Sequence, residues 1–95
     1  MEYQLDLELD LKLYGKHITK TLEPTTDELI ELLPDVLRVG AGTENKHYLR
    51  ISPKKWHVSY GCMFHDLRIE KDPKLSNAAA KMLLWLEENK YLEKR

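Results

Sequence analysis

The chain predicts an α+β fold: one antiparallel sheet of about five strands, with a long C-terminal helix packed on one face and the other face polar. Three observations predict it. Tyr3 to Leu13 reads Y-Q-L-D-L-E-L-D-L-K-L, with an apolar side chain at every second position, the signature of a half-buried strand. Two further alternating runs, His47 to Ser52 and Lys55 to Tyr60, flank Pro53-Lys54 and read as paired strands. Near the C-terminus Leu75, Ala79, Met82 and Leu86 recur at spacings of four, three and four, which marks the buried stripe of a helix.

The first strand would place Tyr3, Leu5, Leu7, Leu9, Leu11 and Leu13 on one face. A turn at Tyr14-Gly15-Lys16-His17 then leads into a second strand at His17 to Leu22, making a β-hairpin. Pro24 stops that strand, and Thr25-Thr26-Asp27-Glu28 matches a capping box, so a helix starts there. Leu29, Ile30, Leu32 and Leu33 give it an apolar side, and Pro34 ends it after about two turns. Val36 to Val39 reads as a brief extended piece, followed by a loop through Gly40-Ala41-Gly42.

Pairing resumes in a three-stranded meander. A two-residue loop would set Ile51 opposite Trp56 and Leu49 opposite Val58, and any even loop keeps Leu49, Ile51, Trp56, Val58 and Tyr60 on one face. Tyr48, Arg50, Lys55, His57 and Ser59 then share the other. His65, Leu67 and Ile69 mark a third strand on the buried side, with Asp66 and Arg68 opposite. Asp72-Pro73 or Ser76 opens the final helix, in which Ala78, Leu83 and Trp85 widen the stripe. Trp56 and Trp85 are expected in one core.

At 95 residues the chain suits one domain, 1–95, with a modest core. Cys62 is the lone cysteine, so no intrachain disulfide forms, and a reducing compartment, by default the cytoplasm, is expected. No apolar run reaches the roughly 18 residues of a membrane span, and the start lacks the pattern of a secretory signal. The formal charge of -1 argues against a surface wholly devoted to polyanions but leaves room for a local basic patch.

Catalytic and metal signatures are weak. His57, Cys62 and His65 offer nitrogen and sulfur donors, yet a zinc site wants a fourth ligand, and strand alternation sends the two histidines to opposite faces. His57, His65 and Asp66 form no coherent acid-base group, because neighbouring residues on a strand point apart. No catalytic residue, cofactor or metal is therefore assigned. Gly40-x-Gly42 lacks the following helix N-terminus of a phosphate loop.

The polar face of the meander is more informative. Tyr48, Arg50, Lys55, His57 and Arg68 mix cations with an aromatic ring, as a sheet that reads single-stranded nucleic acid does. Against this stand Asp6, Glu8 and Asp10, which the first strand would carry on the same sheet, where they would repel phosphate or neutralise the cations.

Two resemblances bear on function. The helix, strands and helix from Thr25 to Leu92 resemble the double-stranded-RNA-binding domain in outline, but Pro73-Lys74-Leu75-Ser76-Asn77-Ala78-Ala79-Ala80-Lys81 stands where that family carries its basic Lys-Lys-x-x-Ala-Lys cluster. W-H-V-S-Y at 56 to 60 and L-S-N-A-A-A-K-M-L-L-W-L-E-E-N at 75 to 89 resemble small uncharacterised bacteriophage and prophage proteins. That resemblance implies an accessory protein of phage or bacterial origin that works by binding. The leading expectation is therefore a non-enzymatic module with a protein partner, or a homodimer formed through the long first strand as a sheet edge; a nucleic-acid-binding module comes second. A continuous basic strip on the sheet would reverse that order.

Overall fold

The structure is a computed structural model that describes residues 5–38, 46–52, 57–62 and 66–92. Among them the element order is α1 (Leu7–Gly15), α2 (Thr26–Leu32), β1 (Val36–Arg38), β2 (Lys46–Ser52), β3 (His57–Gly61), β4 (Asp66–Lys71) and α3 (Leu75–Glu88). The fold is α+β, with one antiparallel sheet in the order β1-β2-β3-β4 and α3 packed on β3 and β4.

The first element departs from expectation. Where the alternation predicts a strand and then a hairpin, the chain forms the helix α1, and residues 17–23 hold no strand. The reason lies in the residues. A leucine at every second position also recurs every fourth, so Leu5, Leu9 and Leu13 line one side of a helix as readily as one face of a strand. Leucine, glutamate and lysine favour helix, and no β-branched residue lies between Leu5 and Tyr14. Leu13 is fully buried and Leu9 half-buried, whereas Leu7 and Leu11 are 69% and 52% exposed. A dimer through this segment as an edge strand accordingly loses its strand; among the described residues the sheet edges are β1 and β4.

The turn after α1 is a helix stop. The His17 amide donates to the Tyr14 carbonyl and the Ile18 amide to that of Leu13, both at 3.0 Å, with His17 in the left-handed region at φ 60. This is a Schellman cap with histidine in the place usually taken by glycine. Asp10, 2% exposed, fixes the rest of the loop by accepting the Glu23 amide at 3.0 Å. Helix α3 ends in the same way, with Lys90 at φ 62 and the Tyr91 amide donating to Leu86, which brings the Tyr91 ring 5.4 Å from that of Trp85.

Helix α2 begins as its sequence predicts. The Thr25 hydroxyl accepts the Glu28 amide at 3.1 Å and donates to the Glu28 carboxylate. Leu29 is its buried anchor. Just beyond, the Tyr60 hydroxyl donates to the Pro34 carbonyl at 2.6 Å, which ties the segment between α2 and β1 to the centre of the sheet.

In the sheet the expected parity holds while the register moves by two. Ile51 pairs with Val58 and Leu49 with Tyr60, so the loop between β2 and β3 is longer by an even number and the same side chains stay inward. Val58 and Tyr60 are fully buried, and Leu37 of β1 joins them. Trp56 falls outside the described residues; Trp85 is half-buried on α3 and packs against the core.

Strand β4 keeps Leu67 against the core and Asp66 outward, as expected, but from Arg68 onward it is turned over. A register irregularity between Tyr60 and Gly61 sets Arg68 opposite Tyr60 and Glu70 opposite Val58, so both charged side chains face the helical layer. Ile69 pairs with Ser59 on the outer face and is 38% exposed. One extra residue in one strand reverses the facing of everything beyond it.

Helix α3 is the centre of the molecule. Ser76 to Ala80, Met82, Leu83 and Leu86 are all buried, because α3 meets the sheet on one side and α1 and α2 elsewhere. The alanines permit this close approach. Asn77 accepts the Asp6 amide at 2.9 Å and so secures the start of α1. Asp72 accepts from the Lys74 amide, the Asn77 side-chain amide and Lys81, at 2.9, 3.3 and 2.8 Å, and holds the entrance to the helix.

Candidate nucleic-acid interface

In an antiparallel ladder, directly paired residues project to the same side, so the register fixes the membership of each face. The face away from α3 is built in rows: Arg38 beside Lys46; Val36, Tyr48, Gly61 and Asp66; Arg50, Ser59 and Ile69; Ser52, His57 and Lys71. Among the described residues this face carries Arg38, Lys46, Arg50 and Lys71 against the single carboxylate of Asp66. No helix–strand packing other than that of α3 is prominent among the described elements.

Of the residues singled out in the sequence, Tyr48, Arg50 and His57 are brought together here. Tyr48 is 51% exposed near the middle of the surface. Arg50 is flanked by Ser59, reaches Asp66 at 4.0 Å and the Cys62 carbonyl at 3.5 Å. Both are contacts at the limit of useful length, so the guanidinium stays available to a ligand. His57 is half-buried, and its Nδ1 finds no hydrogen-bond partner among the described residues.

Arg68 is not part of this surface. It lies on the inner face, with its guanidinium 2.8 Å from Glu70 and 5.7 Å from the centre of the Trp85 ring. Lys55 falls outside the described residues, as do His65 of the metal and acid-base groups and the Gly40-x-Gly42 loop. His57 and Asp66 sit at opposite ends of β3, beside Lys71 and Gly61 respectively. Four residue steps along β3, about 13 Å, lie between those two ends of the strand. Among the described residues no group of three or more His, Cys, Asp or Glu side chains could hold a metal ion.

Arg38, Lys46 and Lys71 join the surface without having been read from the sequence. Lys46 continues the alternation of Tyr48 and Arg50 backwards by one step, a signal the sequence does carry. The place of Arg38 depends on the pairing of β1 with β2, and that of Lys71 on the irregularity in the pairing of β3 with β4; no local pattern encodes either.

The acidic residues that would have opposed this surface lie elsewhere. Asp6, Glu8 and Asp10 belong to α1 and its start, and the two shorter helices together carry Glu8, Asp10, Asp27, Glu28 and Glu31 against Lys12 alone. Among the described residues the charges are thus separated, cationic on the outer sheet face and anionic on the two shorter helices, and such a separation orients an approaching polyanion. No described helix is long and apolar enough to cross a membrane. Comparison of the chain with protein-family models, curated proteins and solved structures finds no match.

Proposed function

We propose that the chain works by binding rather than catalysis, and that its open sheet face takes single-stranded nucleic acid. The observation that carries this reading is the register, which puts Arg38, Lys46, Arg50 and Lys71 on the same face of the sheet as the exposed ring of Tyr48. Cations at alternate strand positions attract a phosphate backbone, and an exposed ring gives one base a platform on which to stack. A flat sheet suits unpaired bases better than a duplex, whose grooves call for a protruding helix, ribbon or loop. Asp6, Glu8 and Asp10, which on the sheet would repel phosphate, lie instead on and before α1.

The test is a fluorescence-anisotropy titration with mixed-sequence single-stranded DNA and RNA at low salt. Wild type should bind with a log-log salt slope that flattens by about 2 in the triple variant Arg38→Ala, Lys46→Ala, Arg50→Ala, at roughly 0.7 per phosphate contact on a single strand. Tyr48→Ala should weaken binding by about 1–3 kcal/mol without lowering the thermal midpoint. No binding at protein concentrations of tens of micromolar, or affinity that the triple variant leaves intact, would overturn the assignment.

A further inference from the structure

The leucine alternation that folds as α1 leaves the helix with two apolar sides. One faces the core. On the other, Leu7, Leu11 and Tyr14 stand in a row at spacings of four and three, and are 69%, 52% and 47% exposed. Scattered exposed leucines are ordinary, but three large apolar groups aligned on one helical stripe are a surface that another apolar surface can cover.

The charges beside the stripe indicate what covers it. Glu8 and Lys12 follow it along one flank, exposed and 3.4 Å apart, with the acid toward the N-terminus and the base one turn later. When two helices pack antiparallel across a two-fold axis, each flank meets the same flank of its mate in reverse order. Glu8 then faces the mate's Lys12, and Lys12 the mate's Glu8. The flank is thus complementary to itself, and only in the antiparallel sense. An anionic lipid surface fits poorly, because membrane-lying helices carry a cationic polar face, whereas the exposed flank of α1 balances Lys12 with Glu8.

We infer that α1 is the interface of an antiparallel homodimer, with Leu7, Leu11 and Tyr14 of each copy packed on those of the other. This goes beyond nucleic-acid binding and uses none of the residues that form the basic face. The helix has nine residues, so the stripe is short and the buried area falls below that of a standard stable interface. The dimer is accordingly weak and in rapid exchange.

Sedimentation velocity across a concentration series up to about 1 mM tests it. The weight-average mass should climb from 11.2 kDa toward twice that value. Leu7→Ser with Leu11→Ser should hold the protein monomeric while its circular dichroism and thermal midpoint stay as in wild type, since both side chains are exposed. Lys12→Glu should raise the dimer dissociation constant about fivefold at low salt by setting like charges opposite each other. Combining it with Glu8→Lys should restore association, because the flank is then self-complementary again. A wild type that stays monomeric throughout, a dimer indifferent to the serine pair, or single and double charge variants that associate equally would each overturn the inference.

Discussion

The Arg68 guanidinium stands 5.7 Å from the centre of the Trp85 ring, on the side of the sheet opposite Arg50. Two arginines that a simple alternation places together are thereby divided between two faces: Arg68 joins β4 to α3, and Arg50 lies on the opposite side of the sheet. Arg68→Ala should therefore lower stability by about 1 kcal/mol, through loss of the ring contact and the Glu70 pair, and leave oligonucleotide affinity unchanged. Arg50→Ala should do the reverse. Thermal melts and anisotropy titrations of the two variants, run side by side, check both halves.

The helical identity of α1 makes a second prediction. In a strand Leu11 and Leu13 would share one face and respond alike; in the helix Leu13 is fully buried and Leu11 is 52% exposed. Leu13→Ala should cost about 2–5 kcal/mol. Leu11→Ala should change stability by less than about 0.5 kcal/mol. Equal losses in a urea-denaturation series would be the result of a strand, not of this helix.

Those leucines also show how far the sequence could be read. The capping box at Thr25 and Glu28, the body of α3 and the parity of β2 with β3 were legible, because each depends on residues close in sequence or on a period that only one structure satisfies. Tyr3 to Leu13 misled because a strict alternation of leucines contains a four-residue repeat, and only the absence of β-branched residues spoke for helix. The candidate surface was half legible. Tyr48, Arg50 and His57 follow from alternation within β2 and β3, whereas the loss of Arg68 and the gain of Lys71 both follow from one irregularity beside Gly61, and the contribution of Arg38 from a pairing across an intervening loop.

Asp72 gives a prediction on the acid side. Burial alone would push its carboxyl up, but the hydrogen bond from Lys81, the Lys74 amide, the Lys81 charge and Asn77 together hold it below its ordinary value of 3.8. A carboxyl depressed in the folded state contributes stability that is present above its ordinary value and is lost as pH falls through the folded one. Asp72→Asn should therefore lower stability near neutrality by about 1–2 kcal/mol, and the gap between variant and wild type should narrow below about pH 4. Urea denaturation at a series of acid pH values measures it.

Tyr60 makes the corresponding prediction at high pH. Its hydroxyl donates to the Pro34 carbonyl at 2.6 Å, and burial, reinforced by the nearby charge of Asp35, pushes its ionisation well above the ordinary value of 10.0. The sign follows from which form the fold accepts. The folded protein holds Tyr60 neutral while the unfolded chain releases its proton near pH 10, so the contribution of this group is complete below that value and declines as pH rises above it. The decline approaches about 1.4 kcal/mol per pH unit while only the unfolded state ionises. Tyr60→Phe keeps the ring in the core and removes both the hydrogen bond and the titration. It should cost about 1 kcal/mol near neutrality, yet its stability should fall less steeply than that of wild type between about pH 10 and pH 12, so the two curves converge with rising pH. Guanidinium denaturation across that range provides the comparison; parallel curves would show that the Tyr60 proton is released as readily in the folded protein as in the unfolded chain, and that the bond to Pro34 does not hold it.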